Sequence, residues 1–154
     1  MSVTSNRLAR FSQGLNVLFC YGTLRFDEVL KALLGRIPEQ VPASAPGYRA
    51  AALQGRVYPG LVVCAFGGSA PGVVLTDLSN DEWRILDAFE HERYELQEVA
   101  LSTGETGLTY VWPGGDVQDE DWDATEFEQR HLAKYAARCA RLAPRLAAGE
   151  PKGE

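Results

Sequence analysis

Prolines at 38, 42, 46, 59 and 71 constrain this chain more than any other feature. Proline removes a backbone donor, fixes φ and pushes the residue before it toward an extended conformation. The segment from 37 to 72 is therefore expected as short extended pieces joined by turns, with strands over residues 50–53 and 61–66. Residues 73–75 read as a further strand.

The flanks supply the helices. Residues 15–21 (LNVLFCY) are an apolar, strand-forming run ended by Gly22, which reads as a buried first strand. Over residues 26–34 the positions Phe26, Val29, Leu30, Leu33 and Leu34 recur at helical spacing, with acids at the start and Gly35 past the end. Ser79 followed by Glu82 is a capping box, and predicts a helix from about residue 80 to 90 or 91. Residues 94–102 and 106–112 read as a strand and its hairpin partner, 114–123 as an acidic surface loop, and 125–142 as a final helix. Strands dominate the middle and helices do not alternate with them regularly. The expected class is α+β, a curved, barrel-like and mostly antiparallel sheet with helices outside it. At 154 residues the chain suits a single domain, expected over 15–143, with 1–14 and 144–154 as loose termini.

Charge and cysteine usage narrow the function. A net charge of −6 argues against nucleic acid, which is normally met by a basic patch. Cys20, Cys64 and Cys139 are odd in number and form no CxxC pair, so a metal centre or disulfide framework is not expected. Free cysteines in apolar runs usually serve packing. The N-terminal residues carry no apolar signal core, and no apolar run nears the ~20 residues of a membrane span. These features fit a cytoplasmic protein without a membrane partner.

One carboxylate stands out. At 100° per residue, Trp83, Leu86, Phe89 and Ile85 define the apolar arc of the capped helix, and Glu90 falls inside that arc. Arg84, Asp87 and His91 take the other, wetter side. A carboxylate turned inward at a helix C-terminus is pushed toward its neutral form by burial and by the helix dipole. That suits a general base near neutral pH. Glu90 turning out to solvent at the helix end fits the same pattern. The turn Tyr21-Gly22-Thr23-Leu24 lies between a buried strand and a helix, where free amides suit a carboxylate or oxyanion. An ordinary strand-to-helix turn also fits. Tyr58-Pro59-Gly60 is by itself only a turn. Two histidines without cysteine or acidic spacing make no metal site. GxSxG is absent, and the paired glycines at 67–68 and 114–115 lack the context of a dinucleotide site.

Taken in order, Tyr21-Gly22-Thr23-Leu24, Tyr58-Pro59-Gly60-Leu61-Val62, and Leu86-Asp87-Ala88-Phe89-Glu90 followed by Tyr94 resemble the γ-glutamylcyclotransferase-like family, in its avirulence-induced-gene-like and γ-glutamylamine cyclotransferase branch. The resemblance covers roughly residues 16–112. It implies that Glu90 is the catalytic acid/base, that the backbone of Tyr21, Gly22, Thr23 and Leu24 holds the glutamyl end of a small γ-glutamyl substrate, and that Tyr94 lies near the site. It implies release of 5-oxoproline and a free amine, with no cofactor and no metal. His91 stands where the family often has glycine after the glutamate, which bears on the shape of the pocket mouth. Motifs of the glutathione-degrading branch are not evident. Other readings stay open: a non-catalytic small-carboxylate-binding domain of the same fold, a thiol enzyme using Cys20 or Cys64, or a protein-interaction module.

Overall fold

The computed structural model describes residues 6–9 and 16–150. In chain order they form α1 (Asn6–Ala9), β1 (Leu18–Cys20), a 3-10 turn (Thr23–Arg25), α2 (Asp27–Leu34), β2 (Gln40–Pro46), β3 (Tyr48–Leu53), β4 (Gly60–Val63) and β5 (Ser69–Leu75). There follow α3 (Asn80–Phe89), β6 (Glu95–Ala100), β7 (Thr106–Val111), β8 (Val117–Asp121), α4 (Ala124–Arg130) and α5 (Leu132–Ala147).

The strands make one curved sheet in the order β2-β5-β1-β7-β4-β3-β8, with β6 paired to β7. Five of the pairings are antiparallel, and two, β1 with β7 and β4 with β7, are parallel. The sheet does not close. It curls far enough that the Ser102 amide, just past β6, donates to Ser44 O on the edge strand β2 at 2.9 Å. The α+β class and the curved, mostly antiparallel sheet agree with the sequence reading.

The core has two faces because strand side chains alternate. Leu18 and Cys20 of β1 face the helices, where they pack with Leu30, Trp83, Leu86 and Leu142. Phe19 and Tyr21 face the inside of the curl with Leu61, Val74, Val99 and Val111. A strand buried on both sides needs a continuous apolar run, which residues 17–21 provide. Outside the curl, α5 packs against both α2 and α3, and α2 touches α3. No helix among the described residues is long and apolar enough to cross a membrane.

Several elements differ from expectation, each for a physical reason. β2 contains Pro42 and Pro46 yet is a strand, because it lies on the sheet edge and pairs only with β5. Residues 117–121, expected as loop, form β8. Its acidic sequence has no apolar alternation, and the unpaired edge of β3 recruits it, helped by Arg49 donating to Gln118 O at 2.8 Å and to Asp121 Oδ1 at 3.0 Å. The expected final helix breaks at His131, whose backbone leaves the helical region, so α4 and α5 are separate. α5 then runs through Pro144 to Ala147, past the boundary expected at 143. The amide missing at Pro144 faces solvent, while Leu142 and Leu146 bury the opposite side and hold the last turn. At the other end, Leu8 of α1 is buried within the segment expected as a loose leader. Residues 1–5, 10–15 and 151–154, on which the rest of those terminal expectations falls, lie outside the described residues.

Candidate active site

β7 has β6 along one whole edge, from Thr106 to Val111. Its other edge is shared end to end by two strands: β1 pairs at Leu108 and β4 at Val111. The sheet therefore forks where β1 ends at Cys20 and β4 begins at Gly60. A fork leaves backbone groups without ladder partners, and Tyr21 fills that gap. Its hydroxyl donates to Tyr110 O at 2.5 Å and accepts from the Leu61 amide at 3.1 Å. Below this point lies a cavity that opens to solvent.

Two small residues allow the fork. A Cβ on Gly22 would meet Pro59 Cγ at 2.9 Å, and one on Gly60 would meet Trp112 Cβ at 2.6 Å. The turns at 21–24 and 58–60, far apart in sequence, are thus pressed together, and the second does more than reverse the chain. Past Gly22, the Arg25 amide bonds to Gly22 O at 3.0 Å and the Phe26 amide to Thr23 O at 3.3 Å. The amides of Thr23 and Leu24 have no acceptor inside that turn, as at the start of any helix.

Glu90 is the C-cap of α3: its amide still bonds to Leu86 O, while its own backbone is extended. Half-buried, it is the carboxylate among the residues lining the cavity. The lining includes Tyr21, Gly22, Thr23, Leu24 and Tyr94, so the residues that the resemblance implies for the site meet here with Glu90. Tyr94 donates to Pro59 O at 2.5 Å, which pins the strand after Glu90 to the turn that covers Gly22.

Among the described residues, tyrosines form much of the wall around Glu90. Burial pushes the hydroxyls of Tyr21, Tyr94, Tyr110 and Tyr135 above their ordinary range, and the negative charge of Glu90 adds to this in each. The Cys20 thiol is raised in the same way, first by burial and then by Glu90. A buried thiol held protonated is a poor nucleophile. Cys64 lies outside the cavity lining, and Cys139 is packed in the helical face of the core.

The mouth differs from expectation. His91, assigned to the wet side of its helix, lines the cavity, because the chain leaves α3 at Glu90 and turns back. Its Nδ1 accepts from the Arg93 amide at 3.0 Å, and its ring meets Trp112 edge-on at 6.0 Å. Arg93 and Arg56 lie over the Trp112 ring, at 4.4 and 5.0 Å from its centroid, and both pair with Asp116. Asp87, also assigned to the wet side, is 2% exposed. Its carboxylate accepts from Tyr110 at 2.7 Å and pairs with Arg7 Nε at 3.2 Å.

Tyr135 of α5, which the sequence reading does not single out, also lines the cavity; its hydroxyl accepts from Thr23 Oγ1 at 3.4 Å. A tyrosine on an arc of leucines needs a partner for its hydroxyl, and that is the signal in the sequence. The enclosed space is about 40 Å³. A larger depression of about 530 Å³ lies between β3, β8 and α4, edged by Glu120, Asp121, Asp123 and Glu126. Size favours that one, but its carboxylates are exposed at a rim and it has no fork of free backbone, so the chemistry favours the smaller cavity. Among the described residues no group of three or more histidine, cysteine or acidic side chains is placed to hold a metal ion.

Comparison with known proteins follows the same lines. The family model described as gamma-glutamyl cyclotransferase, AIG2-like, matches residues 18–128. AIG2-like protein D of Arabidopsis thaliana is 32% identical over 148 residues, covering 91% of this chain and 95% of that protein. AIG2-like protein C of the same plant is 36% identical over 119 residues, covering 73% and 69%. A solution structure of an Arabidopsis thaliana protein superposes with a TM-score of 0.61 at 28% identity, over 92% of this chain and 99% of that one. A structure described as a gamma-glutamyl cyclotransferase superposes with a TM-score of 0.55 over 88% of each chain, and at 17% identity it speaks for the fold alone.

Proposed function

This chain belongs to the AIG2-like gamma-glutamyl cyclotransferase family, and from that premise we propose that it cyclises a γ-glutamyl amine or γ-glutamyl amino acid to 5-oxoproline, with Glu90 as general acid and base. The observation that carries this reading is the placement of one carboxylate, Glu90, among the described residues of a cavity walled by tyrosines held neutral and by the Gly22–Leu24 turn.

The chemistry is intramolecular. The α-amino nitrogen attacks the γ-carbonyl carbon of its own substrate, a ring C–N bond forms, and the bond to the departing nitrogen breaks. Glu90 takes a proton from the attacking nitrogen and gives it to the departing one, which regenerates the carboxylate. Both reactants are in one molecule, so holding the chain bent in a near-attack shape supplies much of the acceleration. Amides at Thr23 and Leu24 suit the substrate carboxylate or the oxygen that becomes negative during attack. The neutral tyrosines matter for the same reason, since a second anion nearby would oppose that charge. Tyr58 and His91 stand half-buried at the mouth of this cavity.

The test is a panel of γ-glutamyl amines and dipeptides, read as 5-oxoproline by mass spectrometry with Glu90→Gln alongside. Product from the native chain and none from the variant is expected. Equal product from both removes Glu90 from the reaction. A thiol reagent should leave turnover unchanged, because the buried Cys20 takes no part.

A further inference from the structure

α3 ends without the usual devices. It has no basic residue in its last turn and no glycine beyond it, and Glu90 leaves the helix directly into an extended conformation. A helix ended in this way leaves carbonyls without donors. The missing donors come from Arg7 in α1, 80 to 87 residues away in the sequence. Arg7 Nη1 donates to His91 O at 2.8 Å and to Tyr94 O at 3.0 Å, while Nη2 donates to Asp87 O at 2.9 Å and, more weakly, to Glu90 O at 3.4 Å. Its Nε pairs with the buried Asp87 carboxylate at 3.2 Å, and its guanidinium lies over the Tyr110 ring at 5.2 Å. Leu8, the next residue, is buried and fixes α1 in place.

We infer that Arg7 is a positioning residue for the candidate active site: one guanidinium gathers the backbone from Asp87 to Tyr94 and so sets where the Glu90 carboxylate and the Tyr94 ring stand in the cavity. The inference rests on the reading of Glu90 as general base. The geometry favours arginine specifically. Only a planar fork with several donors reaches four carbonyls and a carboxylate at once, and a lysine ammonium in the same place could serve one or two. The positive charge also lies at a helix C-terminus, where the dipole favours it. Displacing a base by about 1 Å is enough to cost about 100-fold in rate.

The experiment uses the full chain with Arg7→Ala, Arg7→Lys and, as a charge-removal control on the exposed face of α3, Arg84→Ala. Each is read three ways: thermal unfolding, amide hydrogen exchange at Glu90 and Tyr94, and kcat and KM on a substrate the native protein cyclises. Both amides are hydrogen-bonded in the native turn, to Leu86 O and His91 O at 3.1 Å, so their exchange reports its opening. Folded Arg7→Ala should exchange at both amides about tenfold faster or more. It should lose about 100-fold in kcat with little change in KM, and recover part of that loss in millimolar guanidinium chloride. Arg7→Lys should recover little, and Arg84→Ala should match the native protein. Native exchange and native kcat in folded Arg7→Ala overturn the inference, as does a loss that tracks the unfolded fraction and ignores guanidinium. If Arg7→Ala does not fold, Arg7→Lys gives the same decision from exchange and kcat. If the native chain cyclises nothing on the panel, the catalytic reading falls alone, and exchange at Glu90 and Tyr94 still decides whether Arg7 holds the turn.

Discussion

The two ends of α3 are held by opposite means. At the N-terminal end the stabilising groups are local: Ser79 Oγ accepts from the Glu82 amide at 3.1 Å, and the Glu82 carboxylate accepts from the Ser79 amide at 3.0 Å. That end is exposed, and Arg36 adds two contacts of 2.7 Å to the Glu82 carboxylate. At the C-terminal end the helix's own Asp87 is held by groups distant in sequence, Arg7 and Tyr110. Arg7, Asp87 and Tyr110 interlock in a buried cluster, and the residue they surround is Glu90. A local cap fixes where a helix starts at little cost. A non-local clamp fixes where one side chain stands, and places that side chain at the mercy of a buried ion pair.

The comparison can be broken at several points. Glu90→Gln should have the largest effect on function, removing essentially all turnover while leaving the thermal transition near that of the native chain, because the amide fills the same space. Asp87→Ala should have the largest effect on stability: it leaves Arg7 and the Tyr110 hydroxyl without their buried acceptor, at a cost of about 3 kcal/mol in urea unfolding. Ser79→Ala, at the other end of the same helix, should cost only about 1 kcal/mol and leave kcat unchanged.

The smallest effect is one of pH. The Glu82 carboxyl is held below its ordinary value of 4.5, chiefly by Arg36 and further by Ser79, against an opposing push from burial. A lowered folded-state value means that the folded protein binds this proton less readily than the unfolded one. The resulting stability is present above about 4.5 and is lost as pH falls through the lower folded value. Arg36→Gln should therefore lower stability near neutrality and flatten its decline in acid. Urea midpoints measured at neutral and at acidic pH check this, and an unchanged acid limb would contradict it.

This contrast also explains what was legible in the sequence. The capping box needs only residues 79 and 82, and the helix begins where that pair says it should. Glu90 was legible because its phase relative to Trp83 and Leu86 is set within one helix. His91 was misplaced because the helical phase stops being informative where the helix stops, and Asp87 because a buried acid is tolerated only through a partner that the local pattern does not contain. β8 was invisible for a related reason: Val117–Asp121 is a strand only because β3 offers an edge. Gly22 and Gly60 were visible as turn residues, but their roles as contact surfaces for Pro59 and Trp112 depend on two loops meeting. The fork of β1 and β4 on β7, which makes the cavity, is a property of pairing across the whole sheet.

If Glu90 drives a cyclisation, no water enters the product. The direct measurement is turnover of an active γ-glutamyl substrate in heavy-oxygen water, with 5-oxoproline, glutamate and free amine quantified for the native chain and for Glu90→Gln. Cyclisation by Glu90 gives 5-oxoproline and amine in equal amounts, no heavy oxygen in the 5-oxoproline, and neither product from the variant. Glutamate bearing the label would mean hydrolysis, and undiminished product from Glu90→Gln would mean that the base is elsewhere.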